Sequence, residues 1–368
     1  MKQANTQIQI SELFEIKLTE YGGRACFARR NQQSGDIVLQ LSQALGSSIA
    51  YEYRKEVCHF CFAYNGGALM KTTIGLAESK LEPSTASASS FRGGGLRFCS
   101  EICKEAYMQQ DSVGELVEAF EALLQVFQRG NKRRDTDLQD DDCEDAVITE
   151  AVIEEQWRYI TDEWIPKLSA MKPSRRQVML PVIDDEVYSC ARFVTECLFT
   201  LKHLPHESTM YHAFEHLQSN ELQKITAFPV LLEFQLKVYK FLKVVLPSRL
   251  GDLLTPALFR KILGSEYGNS FGIWEQNEGN DSRAYLGYWV LPEASYFNHS
   301  CAPNLAKKRV GREIYFVLTS DVAAGEQLCI DYKGILDLPV VERRNILCSN
   351  WFFDCACERC TLELQSIH

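Results

Sequence analysis

Hydrophobic positions along this chain change period twice, from two to about 3.6 and back to two. Phe14-Glu15-Ile16-Lys17-Leu18 alternates apolar and polar side chains, and Asp36-Ile37-Val38-Leu39 follows a Ser34-Gly35 turn signal. Residues 8–41 therefore read as short strands. Between them Gly22-Gly23-Arg24-Ala25 forms a glycine turn that feeds a strand through Phe27 and Ala28. From 112 to about 250 the spacing is helical. Leu116, Phe120, Leu123, Leu124 and Phe127 fall on one face, with Gly130 as the stop. Helical spacing resumes through Ile148, Val152, Trp157, Ile160 and Trp164, and again near 182–200 and 221–246. Thr255-Pro256 has the form of an N-cap followed by proline at the first helical position, with Gly264 closing that turn. After 268 strand patterns return at Phe271 to Trp274, Tyr285 to Val290, Ile314 to Leu318 and Gln327 to Ile330. Pro83 to Gly95 is small and polar and reads as a mobile loop. Residues 131–145, with Asp140, Asp141, Asp142, Glu144 and Asp145, read as a solvated acidic loop. No internal repeat is present.

Composition adds limits to this outline. The chain has 368 residues, 46% hydrophobic, and a net charge of −10. That length suits one large domain or two to three modest ones, and the apolar share supports a core. An acidic balance argues against nonspecific nucleic-acid binding and fits basic partners, although acidity also serves solubility alone. No run of 18 apolar residues predicts a membrane span, and the polar N-terminus carries no secretory signal pattern.

Cysteine usage changes the picture more. Of 14 cysteines, eight are clustered: Cys58 and Cys61, Cys99 and Cys103, then Cys301 with Cys355, Cys357 and Cys360. Without a signal peptide, metal binding is favoured over disulfides. Eight thiolates make two tetrahedral zinc sites of four ligands each. Cys26, Cys143, Cys190, Cys197, Cys329 and Cys348 are scattered and read as small buried apolar residues.

The chemistry concentrates in three downstream segments: Asn298-His299-Ser300-Cys301, Gly325 to Tyr332, and Cys355-x-Cys357-x-x-Cys360. Each alone is weak. In this order they resemble the catalytic core of the SET-domain protein lysine methyltransferases. The resemblance implies S-adenosylmethionine as methyl donor and transfer to a lysine amine in a protein substrate. It implies a pseudoknot in which the Asn298 segment threads under the loop carrying the tyrosine. It assigns Tyr332 as the catalytic tyrosine. Asn298, His299 and Ser295, with the Gly23-Arg24 turn and Phe353, are assigned to the cofactor. Tyr296, Phe297, Tyr332, Trp351 and Phe353 are candidate walls of a narrow aromatic channel. Cys301 completes the tail zinc site of the post-SET arrangement. The family's second glycine near the N-terminus is displaced or replaced by Ala25 here, which loosens that assignment.

Arg97 to Tyr107 resembles the second half of a MYND zinc finger, and a finger interrupting the SET domain is the layout of the SET-and-MYND methyltransferases. Cys58, Cys61, Cys99 and Cys103 supply one of the finger's two zinc sites, and the ligands of the other are missing. His59 lies inside the first pair and is not needed. The chain looks most like the shorter fungal members with an incomplete finger.

The expected fold is α+β: SET strands at 8–50, a degenerate MYND-like finger at 51–110, a helical insert at 111–253, the SET core at 254–345 and a post-SET zinc tail at 346–368, with no domain after it. Expected cofactors are S-adenosylmethionine and two structural Zn2+ ions. The expected partner is a lysine-containing protein, histone or otherwise, without membrane or direct nucleic-acid binding. A monomer in cytoplasm or nucleus is expected. An inactive SET-shaped scaffold is the alternative, motivated by the altered glycine turn and the half finger. A third reading, a zinc peptidase, rests on His212-x-x-Glu215-His216 in a helical region.

Overall fold

The structure, a computed structural model, describes residues 8–19, 23–80, 90–131, 147–276 and 283–366. The acidic run around Asp140 to Asp145, Gly22 and Cys143 lie outside the described residues. Ten strands are formed among the described residues: β1 (Phe14–Leu18), β2 (Arg24–Ala28), β3 (Ile37–Leu41), β4 (Gly46–Ile49), β5 (Ser270–Trp274), β6 (Tyr285–Val290), β7 (Asn298–His299), β8 (Leu305–Val310), β9 (Glu313–Leu318) and β10 (Gln327–Ile330). The first helices are α1 (Glu101–Gln110), α2 (Glu115–Asn131), α3 (Glu150–Tyr159), α4 (Ile165–Ala170), α5 (Asp185–His203) and α6 (Thr209–Glu215). They are followed by α7 (Glu221–Ala227), α8 (Val230–Val245), α9 (Ser248–Gly251), α10 (Pro256–Asn269), α11 (Val340–Trp351) and α12 (Glu358–Gln365). No helix among the described residues is long and apolar enough to cross a membrane.

The chain divides into two compact units. The first gathers Met1–Ala44, Leu204–Gln218 and Leu291–His368. Two small sheets form it, ordered β1-β2-β10-β7 and β3-β9-β8. In β9 the alternation is realised: Ile314, Phe316 and Leu318 are buried and their neighbours are half-exposed. Phe297 lies between Phe14 and Phe316, with ring centroids 5.3 and 5.0 Å away. It is a core residue and not a channel wall, because it is 1% exposed and packed on both sides. The pair β7 and β10 is parallel, with Asn298 opposite Cys329 and His299 opposite Ile330. It sets the polar segment directly beside the strand that leads to Tyr332.

The second unit gathers Leu45–His203 and Ser219–Val290. Its sheet is ordered β4-β6-β5, and the finger and most helices belong to it. Leu116, Phe120, Leu123, Leu124 and Phe127 of α2 are all buried, as their spacing predicts. On α3 the inward face begins at Ile153, with Val152 half-exposed. The reason is that Thr149 caps the helix by accepting from the Val152 N–H, so Ile148 precedes it. Thr255 caps α10 as expected, accepting from the Leu258 N–H at 3.2 Å. Gly264 does not end that helix, which continues to Asn269. Gly264 is buried against the turn before α7, where a Cβ would collide with Ser219 Oγ, so close packing and not termination requires glycine. Of the small polar stretch from Pro83 to Gly95, residues 83–89 lie outside the described residues, while Gly93–Gly95 forms a 3-10 turn with Gly93 and Gly94 buried.

Candidate functional site

The first unit brings the downstream motifs to one place. His299 is 8% exposed, and its Nδ1 accepts the Tyr332 backbone N–H at 3.2 Å. A neutral ring then carries its proton on Nε2, which faces Cys301 Sγ at 3.3 Å. Burial keeps this imidazole below its ordinary pKa, only partly offset by Asp331, whose Oδ1 lies 3.9 Å from Nδ1. One uncharged ring thus ties the polar segment to the tyrosine loop and to the thiol cluster.

Around it the aromatic residues gather. Tyr332 stands 5.4 Å from His299, 5.2 Å from Trp351 and 6.4 Å from Phe353, between ring centroids. Phe353 is 6.5 Å from His299. Tyr332, Trp351 and Phe353 are each half-buried, so the cluster has faces left to cover. Burial pushes the Tyr332 phenol well above its usual pKa, so it stays protonated in the physiological range. Phe353 reaches the cluster because Phe352, the C-cap of α11, adopts a left-handed conformation at φ 60°.

The remaining sequence candidates lie in the same unit with other engagements. Ser295 Oγ donates to Leu291 O at 3.0 Å and the residue is half-buried. Asn298 is half-buried on β7. Gly23 turns the chain at φ +65°, and its carbonyl accepts from the Thr19 N–H and hydroxyl at 2.7 and 3.0 Å. Arg24 donates to the His216 carbonyl and lies 5.5 Å over the Tyr296 ring. Tyr296 is buried and donates to Ala213 O at 2.8 Å. The helix carrying His212, Glu215 and His216 is therefore joined to this unit through backbone carbonyls. Those three side chains do not bring ligand atoms together, and His216 Nδ1 faces the His212 carbonyl at 2.8 Å.

Both cysteine quartets assemble. In each, the four sulfurs lie within 4.8 Å of one another: Cys58, Cys61, Cys99 and Cys103 in the finger, and Cys301, Cys355, Cys357 and Cys360 in the tail. The separations are 3.6 Å for Cys61 to Cys99, 3.5 Å for Cys99 to Cys103, 4.0 Å for Cys301 to Cys355 and 3.4 Å for Cys360 to Cys301. Tetrahedral coordination with bonds of about 2.3 Å requires sulfurs about 3.8 Å apart, whereas a disulfide would place two at about 2.0 Å. All eight are free thiols. The donor set and spacing fit a tetrahedral metal ion. Each quartet also sits at a helix N-terminus. Ser100 caps α1 by accepting from the Cys103 N–H, and Cys357 is the N-cap of α12, whose first turn holds Cys360. The helix dipole favours thiolates at both places. Of the scattered cysteines, Cys26, Cys190 and Cys197 are buried as expected, while Cys329 is half-buried and Cys348 is exposed on α11.

Two residues that the motifs do not flag support the site. Asn304 accepts from the Cys329 N–H and donates to Gln327 O, both at 2.9 Å, and so fastens β10 before Tyr332. A Pro303-Asn304 turn pair is its only sequence signal. Arg343 on α11 is 1% exposed and donates to Leu338 O at 2.6 Å, to Glu363 at 2.7 Å and toward Cys360 Sγ at 3.7 Å. It sets a positive charge beside a cluster that would be dianionic with a divalent ion. Nothing in the sequence marks it, because a basic residue on a helix normally faces solvent.

Comparison with known proteins agrees with this geometry. A model of the SET domain matches residues 23–333. A Saccharomyces cerevisiae protein named as a potential protein lysine methyltransferase, SET6, is 47% identical over 370 residues, 98% of each chain. A SET and MYND domain-containing protein of Dictyostelium discoideum is 38% identical over 108 residues, 29% of this chain and 26% of that protein. The histone-lysine N-methyltransferase ASHR2 of Arabidopsis thaliana is 28% identical over 136 residues, 35% of this chain and 34% of that protein. The match to the domain model across most of the chain and the near full-length likeness to the yeast protein place this chain in the SET-domain family.

Proposed function

We propose that this chain is an S-adenosylmethionine-dependent protein-lysine N-methyltransferase with Tyr332 as its catalytic residue. The observation that carries the reading is the gathering of His299, Trp351 and Phe353 around Tyr332, with ring centroids 5.2 to 6.4 Å from it, where His299 lies two residues before Cys301 of the tail quartet. The residues suit the donor. Half-buried aromatic faces attract a cationic sulfonium, and Asp331 lies beside them. The bound donor would supply an activated methyl group on a good leaving group. The near full-length yeast relative, named as a potential lysine methyltransferase, supports the same activity.

The protein's own part is orientation and desolvation. A lysine amine has a pKa of about 10.4 in water and must be neutral to attack. An aromatic recess disfavours the ammonium form. The protonated Tyr332 phenol directs the substrate amine and excludes water from it. Asn298, His299, Ser295, Gly23, Arg24 and Phe353 would hold the donor, and the tail carries Phe353 to the cluster around Tyr332. Zinc is the ion that suits both quartets, since four thiolates in a tetrahedron select it.

The test is methyl transfer from labelled S-adenosylmethionine to a pool of basic proteins. Tyr332→Phe is expected to lose about 100-fold or more in rate while still binding the donor, since only orientation is removed. Equal rates for the variant and the wild type would remove Tyr332 from the mechanism. Donor binding without transfer to any protein pool would leave the scaffold reading.

A further inference from the structure

The second unit holds a cavity of about 280 Å³ that the methyl-transfer site does not use. Of the residues that line it, Ile49, Leu96, Leu124 and Tyr188 are buried. Its rim includes the exposed Thr73 and Gln128. Arg54, Lys55, Arg92, Arg97 and Arg192 also line it, and no carboxylate does. Among the described residues, Arg54, Lys55, Arg97 and Arg192 form no ion pair. Of the acids outside the lining, Glu121 is taken by the backbone N–H groups of Arg92 and Gly94 and by Gln125, and Asp185 is close enough to act on Tyr51.

The cations are held in place. Arg192 Nη1 donates to Gly94 O at 2.7 Å and to Tyr188 Oη at 3.4 Å, and its guanidinium lies 3.9 Å from the Phe120 ring. Arg97 Nη1 donates to Met70 O at 2.8 Å. Arg54 Nη1 donates to Tyr51 O, and the group lies 3.4 Å over the Tyr51 ring. Among the described residues, each of these arginines spends only Nη1 on the protein and keeps the Nε and Nη2 hydrogens, the pair that receives two oxygens of one anion. Like charges collected around one cavity whose lining has no carboxylate repel each other, and a bound anion relieves that cost.

We propose that this cavity binds a compact anion carrying two or more phosphate groups, held by Arg54, Lys55, Arg97 and Arg192. Four cations need more than a single phosphate to balance them, and a cavity near the lower end of ligand-pocket size takes a pyrophosphate-sized group. The phosphates would come from a free polyphosphate or from the diphosphate of a nucleotide.

The experiment is calorimetric titration of the full, metal-loaded chain with inorganic pyrophosphate and, separately, with ADP. The double variant Arg54→Gln/Lys55→Gln tests the site. Lys55→Glu alone, at an exposed position, guards against misfolding. Lys172→Gln/Arg175→Gln, exposed elsewhere, controls for net charge. The expected result is saturable 1:1 binding that weakens about tenfold or more in both cavity variants, stays unchanged in the control and falls with salt. Pyrophosphate and ADP binding alike would mean that only phosphates are read. Tighter ADP would place a nucleotide in the site. Absence of saturable binding by either anion to the wild type at about millimolar concentration overturns the proposal, as does equal weakening in the control.

Discussion

His299 is where several requirements meet in one side chain. It is buried without charge, receives the Tyr332 amide and faces the Cys301 thiol. His299→Ala is expected to weaken S-adenosylmethionine binding about tenfold or more and to loosen the tail metal, read by calorimetry and by the rate of zinc loss to a chelator. Glu293 makes a different prediction. The residue is 7% exposed, its Oε2 has no hydrogen-bond partner among the described residues, and burial raises its pKa from 4.5 to about 7. Below pH 4.5 both folded and unfolded states hold the proton and no cost arises. Between 4.5 and 7 the unfolded state releases it first, so stability falls as pH rises, and above 7 the full cost is present. Ionising a carboxyl raised from 4.5 to about 7 costs the folded state about 3 kcal/mol. Glu293→Gln should therefore stabilise the protein by about 1–3 kcal/mol at pH 8 and leave it unchanged at pH 4, by denaturant melts at both pH values. The polar motif at 298–301 is legible in the sequence because its residue types are conspicuous after Tyr296-Phe297. Glu293 is not, since burial of a carboxyl depends on neighbours distant in the chain.

At the scale of elements, periodicity locates strands and helices well where one face meets a core. The predicted strands at Tyr285 to Val290 and Gln327 to Ile330 coincide with β6 and β10. It fails where the pattern carries no alternation. In β8, Ala306 to Lys308 are all exposed, so the strand reads only as a basic cluster, and β4 is small and polar in its first three residues. Gly264 shows the same limit, since a helix-ending glycine and a close-packing glycine look alike until the partner helix is known. The tail depends on α11, which packs Leu347 and Val340, together with Ile335 just before it, around Cys301, Cys355 and Cys360, the last of these on α12. Arg343 joins these two helices through Glu363. Arg343→Gln removes a buried charge while the Glu363 carboxylate, 35% exposed, can turn to water, so a loss of about 2–4 kcal/mol is expected, with faster metal release from the tail. A thermal melt with and without chelator reads both, and an unchanged melt would mean that Arg343 contributes neither stability nor charge balance.

For the whole molecule, the two metal centres differ in what each supports. The finger quartet lies in one compact unit and the tail quartet in the other, with the candidate methyl-transfer site. Cys99→Ser is expected to lose one metal ion and keep donor binding, whereas Cys301→Ser loses one ion together with donor binding, as counted by metal analysis and calorimetry on the same samples. Cysteine spacing makes both quartets legible in the sequence, because ligand geometry demands close pairs. Their joining in space is not legible, since only the fold brings Cys301 to a tail more than fifty residues away. The most direct test of the central claim is titration of the metal-replete chain with S-adenosylmethionine, beside Asn298→Ala. Saturable binding at one site per chain is predicted, weakened about tenfold or more in Asn298→Ala with metal content unchanged. Absence of binding to the metal-replete wild type, or undiminished binding by Asn298→Ala, would contradict it.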